Sequence, residues 1–194
     1  MEAPDGGEGP GRLDRTPVHR GRILELSLDQ VRFPDGSQGE LEFAAHPGAS
    51  AILPVVGDRT EEDPDVLLLR QYRYASGGFL YEVPAGMPDG SDEPWEVCAR
   101  RELEEETGWQ AGRLEPFTRI LTTPGFCDEV IHLFLAWELR PGREGLDDDE
   151  FVEVVRVPFS RAVAMVRDGD IVDCKSIATI LYAHAFALGS PTGT

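Results

Sequence analysis

The chain has 194 residues, 41% hydrophobic and 28% charged, which suits one ordinary domain with a core of its own and argues against a largely disordered chain. Lys and Arg number 18 against 36 Asp and Glu, a formal charge of −18 that repels phosphate backbones, so no nucleic-acid partner is expected. Three widely spaced cysteines supply neither a disulfide framework nor paired zinc ligands and point to the reducing cytoplasm. No run approaches the ~20 apolar residues of a membrane span, so no membrane partner is expected either.

Residues 1–19 are rich in Gly and Pro with scattered charge and are predicted to form a disordered tail. From residue 20, Leu24, Leu26 and Leu28 alternate with Glu25, Ser27 and Asp29, the period of a strand that buries its leucine face. A turn at Pro34-Asp35-Gly36-Ser37 leads to a second strand through Leu41, Phe43 and Ala45, which together predict a small β unit over 20–47. The apolar runs 51–56 and 66–69 read as strands covered on both faces, although Pro54 pushes the first toward an edge or a bulge. A helix follows over about 93–108, marked by Ser91 or Asp92 as cap, Pro94 in the first turn and Gly108 at the stop. Strands return over 130–139 and 152–157. Helical composition then covers 160–168 and 171–188, with Ile177, Ile180, Leu181 and Ala185 on one stripe, and 189–194 reads as a flexible tail. Irregular mixing of strand and helix predicts an α+β layered domain over 48–188.

The acidic helix carries the chemistry. Taking Glu102 as origin, a step of about 100° per residue puts Glu106 about 40° to one side and Glu105 about 60° to the other, among Trp95, Cys98, Ala99 and Leu103. Arg100, Arg101, Glu96 and Glu104 fall opposite, and Val97 falls there too against the division. Three carboxylates on an apolar face repel one another and lose hydration unless cations intervene, and an all-oxygen set suits a hard divalent ion such as Mg²⁺ or Mn²⁺. The Gly-rich stretch Ala85-Gly86-Met87-Pro88-Asp89-Gly90 feeds the helix and lets backbone approach a metal or phosphate closely; the plainer reading is a strand-to-helix turn.

From Glu93, through Arg101-Glu102-Leu103-Glu104-Glu105-Glu106 to Gly108-Trp109, the spacing resembles the Nudix hydrolase signature, with one departure: six residues rather than five separate Gly86 from Glu93. Three further stretches narrow the likeness to ADP-ribose pyrophosphatases over about residues 20–188: Arg70-Gln71-Tyr72-Arg73-Tyr74, Glu82-Val83-Pro84-Ala85-Gly86 and Pro124-Gly125-Phe126-Cys127-Asp128-Glu129. Cys127 stands where a small hydroxyl residue is usual, and GDP-mannose hydrolases share much of this pattern. The resemblance implies an α/β/α sandwich with a mixed central sheet plus the N-terminal β unit, and a metal-dependent attack of water on a nucleoside diphosphate sugar. From ADP-ribose the products are AMP and ribose 5-phosphate; a GDP-mannose hydrolase and a non-catalytic ADP-ribose-sensing module are the alternatives.

By the same resemblance Glu102, Glu105, Glu106 and the Ala85 carbonyl hold metal, about two or three Mg²⁺ or Mn²⁺ ions per site. Arg101 pairs with Glu93 to keep helix and Gly86 loop in register, and Arg73, Glu82, Pro124, Gly125, Phe126 and Glu129 contact the nucleotide sugar; the alternative for Arg73 and Glu82 is a structural pair between adjacent strands. The general base is assigned to Glu150, also a further metal ligand, with Asp148 and Glu105 as alternatives; a solvated acidic turn is the competing reading of 145–150. Tyr72, Tyr74 and Phe126 are stacking candidates or core, and His132 is a packed or surface residue rather than a ligand. Related enzymes exchange the N-terminal unit between subunits, so a homodimer is expected.

Overall fold

The computed structural model describes residues 9–143, 145 and 151–188. They divide into two compact units, one of Met1–Gly48 and Leu121–Val130, the other of Ala49–Ile120 and Ile131–Thr194. Among the described residues no helix is long and apolar enough to cross a membrane.

The first unit is an antiparallel sheet of β1 (Gly11–Arg20), β2 (Glu25–Arg32) and β3 (Gln38–Ala45), in that spatial order. Strand β1 occupies residues predicted to belong to a free tail. Its composition offers little to bury, but β2 supplies partners along its whole length, and Arg15 clasps Asp29 through Nε at 2.7 Å and Nη2 at 2.6 Å. Pro17 is tolerated because β1 is an edge strand. The covered face of β2 is also the reverse of the prediction: Ser27 and Asp29 are buried, whereas Leu24 and Leu26 are 38% and 39% exposed. Ser27 donates to Asp29 at 2.9 Å and Arg15 lies over the Phe43 ring, so this polar face is satisfied when covered. Residues 121–130 dock on β3, with Ala44 N–H donating to the Phe126 carbonyl at 2.8 Å. Together they enclose a cavity of about 400 Å³ lined by Arg12, Asp29, Phe33, Phe43, Phe126 and Cys127 among others.

The second unit holds β4 (Ala49–Val56), β5 (Asp65–Arg73), β6 (Gly78–Glu82), β7 (Ala85–Gly86), α1 (Trp95–Thr107), β8 (Trp109–Gln110), β9 (Arg113–Leu121), β10 (Val130–Trp137), β11 (Arg140–Pro141), β12 (Val152–Pro158), α2 (Phe159–Asp168) and α3 (Cys174–Phe186). The main sheet runs β12-β5-β4-β10-β9, with β6 on β5 and β7 on β4. It is mixed: β4 is parallel to β10 and antiparallel to β5 and β7.

Alternation along β4 and β10 serves two layers, which is why both strands read as unbroken apolar runs. Ile52, Phe134 and Ala136 pack with Ala99 and Leu103 of α1. Leu53, Val55, Leu133 and Leu135 face the other way, in one core with Phe159 and Met165 of α2 and Ile180 and Ala183 of α3. Helices on both faces make the α/β/α sandwich of the α+β class. Pro54 sits in the middle of this sheet and not at an edge, opposite Ala136 of β10. The Ile52 N–H points away from β10 to the Pro84 carbonyl, so the missing N–H of Pro54 two residues on faces that same side, between the stretches paired with β7 and β5. No ladder bond is lost. On α3 the buried stripe is Lys175, Ser176, Thr179, Ile180 and Ala183, so the predicted Leu181 and Ala185 face outward.

Candidate active site

Helix α1 starts two or three residues later than Asp92 or Ser91 would set it. Pro94 occupies the N-cap without a side-chain cap bond, its carbonyl accepting from Val97 and Cys98 N–H at 2.9 and 3.0 Å. Gly108 ends the helix in the left-handed region, at φ 70°, with its N–H on the Glu104 carbonyl. The inward face holds Cys98, Ala99 and Leu103 together with buried Glu106, while Glu102 and Glu105 lie progressively nearer solvent, their side chains 13% and 41% exposed. Val97 is exposed, as its wheel position requires.

Arg101 does not stay on the outer face. Its long stem lets the guanidinium fold back to join helix and loop: Nε and Nη2 donate to Glu93 at 3.2 and 3.0 Å, Nη2 also to the Met87 carbonyl at 2.8 Å, and Nη1 to Glu102 and Glu105 at 2.8 and 2.9 Å. The hydrogen bond to Glu93, joined by Glu102 and Glu105, holds the Arg101 charge firmly on, and Arg101 in turn keeps the Glu93 carboxyl below its ordinary range.

The loop meets the carboxylates through its backbone. Ala85 N–H donates to Glu106 Oε2 at 2.9 Å, and the Cys98 thiol lies 3.5 Å from the Gly86 carbonyl, burial pushing its pKa up to about 11. A Cβ on Gly86 would fall on the Glu102 carboxylate, so only glycine lets that group lie against the loop. Carboxylate and carbonyl oxygens form a donor set that fits a hard divalent ion, and Gly86 leaves the cradle open beside it. Among the described residues no group of three His, Cys, Asp or Glu side chains stands ready to hold a metal ion; one oxygen each of Glu102 and Glu105 meets Arg101, and one of Glu106 the Ala85 N–H.

Arg73, the last residue of β5, and Glu82, the last of the antiparallel β6, meet through their side chains although their backbones pair with Gly78 and Leu69. Arg73 Nε lies 3.1 Å from Glu82 Oε1 and Nη2 2.8 Å from Oε2, and the Arg73 side chain remains 42% exposed. Glu82 is buried and also accepts from Lys175 Nζ at 2.6 Å. Its oxygens thus meet two cations, Arg73 from the neighbouring strand and Lys175 from α3. Burial alone would lift its pKa, but Arg73 and Lys175 outweigh that and keep it low. Burial likewise pulls Arg73 down, and Glu82, Glu106 and Asp173 hold it above its usual value.

Lys175, Asp173 and Ser176 were not singled out from the sequence. Asp173 caps α3, accepting from Ser176 N–H at 2.9 Å and from Lys175 Nζ at 2.9 Å, and Ser176 Oγ accepts the Val83 N–H at 2.8 Å. The available signal was a lysine in the first turn of a helix, where the dipole disfavours a cation.

Pro124, Gly125 and Phe126 line the cavity of the first unit. Glu129 there accepts from Thr122 Oγ1 at 2.7 Å and lies 3.3 Å from His46 Nδ1. Tyr72, Tyr74 and Phe126 are 44%, 88% and 56% exposed, so none is core. His132 stacks on Trp95, ring centroids 4.4 Å apart. Asp148 and Glu150 lie outside the described residues.

The NUDIX domain family matches residues 45–174. An ADP-ribose pyrophosphatase of Bacillus subtilis (strain 168) is 37% identical over 172 residues, covering 88% of this chain and 90% of its own length. A GDP-mannose pyrophosphatase of Klebsiella pneumoniae is 39% identical over 134 residues, covering 64% and 67%. A crystal structure described as an ADP compounds hydrolase superposes with a TM-score of 0.77 at 20% identity, covering 92% of this chain and 94% of the other. That structural likeness establishes the fold.

Proposed function

Since this chain belongs to the NUDIX family, we propose that it hydrolyses the diphosphate bond of a nucleoside diphosphate sugar, ADP-ribose first, giving AMP and ribose 5-phosphate. The observation that carries the reading is Arg101 tying Glu93, Glu102 and Glu105 to the loop that the buried Glu106 grips at Ala85, a crowd of carboxylates set against backbone that divalent cations would stabilise. Divalent metals are general in the family; here Mg²⁺ or Mn²⁺, two or three ions, would be held by Glu102, Glu105, Glu106 and the Ala85 carbonyl. Bound there, such ions neutralise the diphosphate and make water a better nucleophile near neutral pH. That also explains how a chain of charge −18 accepts an anionic substrate.

Arg73 offers the open side of its guanidinium to a phosphate oxygen. Glu150 takes the proton of the attacking water, with Asp148 and Glu105 as the alternative carriers. Pro124, Gly125, Phe126 and Glu129 contact the nucleotide sugar. The exposed Leu24 and Leu26 support a homodimer in which a second copy covers the first unit, and the few, widely spaced cysteines support a cytoplasmic setting. The GDP-mannose relative supports a second reading in which the sugar is mannose.

Turnover of ADP-ribose, GDP-mannose, NADH and diadenosine polyphosphates with Mg²⁺ and Mn²⁺, products resolved, tests both. ADP-ribose is expected to be cleaved fastest; a faster GDP-mannose reaction replaces the substrate assignment, and binding of ADP-ribose without cleavage replaces the enzyme by a sensor. Removing metal with a chelator abolishes the reaction, and Glu106→Gln lowers kcat by several orders of magnitude with the fold intact. Near wild-type turnover of that variant would remove Glu106 from the metal set.

A further inference from the structure

Lys175 has no part in the chemistry described above, yet it is built into the fold against two physical costs. It stands in the first turn of α3, where the helix dipole opposes a cation, and its residue is buried, where an ammonium loses hydration. Asp173 caps the Ser176 N–H directly, so the cap does not depend on it. A buried charge pair is weak support for stability, since apolar side chains of similar volume do as well or better. A role other than holding the fold is therefore indicated.

The geometry assigns that role. Glu82 carries two cations, Arg73 from the half-open side and Lys175 from the buried side, and Asp173 is the fourth charge that balances the set. An anion approaching the outer edge of Arg73 competes with Glu82 for the same guanidinium. With Lys175 behind it, Glu82 stays compensated while Arg73 shares its charge outward. Without Lys175 the buried carboxylate would draw Arg73 inward and keep it. Ser176 steadies the same strand from the same helix turn, through the Val83 N–H.

We infer that Lys175 is a positioning residue for substrate binding: as the buried counter-ion of Glu82, it keeps the Arg73 guanidinium presented to the diphosphate of the nucleotide sugar. This rests on the reading of Arg73 as a phosphate contact.

Steady-state kinetics with ADP-ribose and Mg²⁺ on the full chain test it, comparing wild type with Lys175→Met, Arg73→Ala and the double variant. Lys175→Met is expected to raise KM about tenfold or more while kcat stays within about threefold, a split that general loss of packing does not produce. In the Arg73→Ala background the same change should add nothing further to KM, because the two residues act through one contact. Should Lys175→Met not give a cooperative thermal transition, Lys175→Gln, which keeps a donor for Glu82 without the charge, is expected to raise KM in the same way. An unchanged KM in the Lys175 variant that folds, an equal fall in kcat, or multiplicative KM effects in the double variant overturns the inference, and with Arg73→Ala still raising KM the hydrolase reading survives. If Arg73→Ala leaves KM unchanged, the phosphate contact and the inference fall together.

Discussion

Gly86 acts on the chemistry by lacking a side chain. The atom that a Cβ would meet is the far end of Glu102, a group that swings rather than one that anchors the fold. Gly86→Ala is therefore expected to displace the Glu102 carboxylate from the loop and from Arg101, lowering kcat/KM about 100-fold by misplacing a ligand, while the thermal midpoint moves little. Full activity in that variant would mean that Glu102 works from another position. The glycine and the glutamates were legible from spacing, since helical periodicity brings i, i+3 and i+4 to one side whatever surrounds them. Arg101 was placed on the outer face by the same wheel and lies against the loop, because a wheel locates Cβ and not the end of a long side chain.

Among elements, the first turn of α3 and the strand end at residues 82–83 are joined by charge. Burial raises the Glu82 and Asp173 pKa values, but Arg73 and Lys175 on the first, and Lys175 and Ser176 on the second, leave both below their ordinary 4.5 and 3.8. Carboxyls with depressed folded-state pKa values contribute stability above those ordinary values, and the contribution is lost as pH falls through the lower folded ones. Denaturant midpoints should therefore hold steady from pH 7 to 5 as far as these groups are concerned and drop below about pH 4. Glu82→Gln, which leaves Lys175 with Asp173 alone and Arg73 with solvent, is expected to cost about 1–3 kcal/mol at pH 7 and to weaken the acid dependence. An unaltered acid limb in that variant would assign the dependence to other carboxylates. The Arg73–Glu82 pair was legible as two residues on adjacent strands, but its coupling to Lys175 was not, since Glu82 and Lys175 stand 93 positions apart. Periodicity located α3, but its inward stripe turned out to carry a lysine and a serine because the strand end it meets presents a carboxylate and an N–H.

At the scale of the molecule, the exposed Leu26 of β2 and Leu24 just before it ask for a cover. Light scattering at micromolar concentration is expected to give twice the chain mass, and Leu26→Glu to halve it by placing a charge on the covered face. A monomeric wild type would refute the dimer. Alternation in β2 revealed a strand but not which of its faces is turned inward, because a period of two is the same for both; Arg15, fourteen residues away, decided it by satisfying Asp29.

Composition, the spacing of the signature and the pattern of apolar runs determined the family, the mixed layered fold and the acidic face of α1, since each depends on residues near one another in the chain or on sums over it. Tertiary structure alone decided that Glu82 meets Lys175 from a distant helix, that Pro54 costs no bond in mid-sheet, that residues 11–20 form a strand and that Lys175 stands behind Arg73. Each of those outcomes turns on which polar group finds which distant partner, and that is settled only when burial forces every donor and acceptor to be matched.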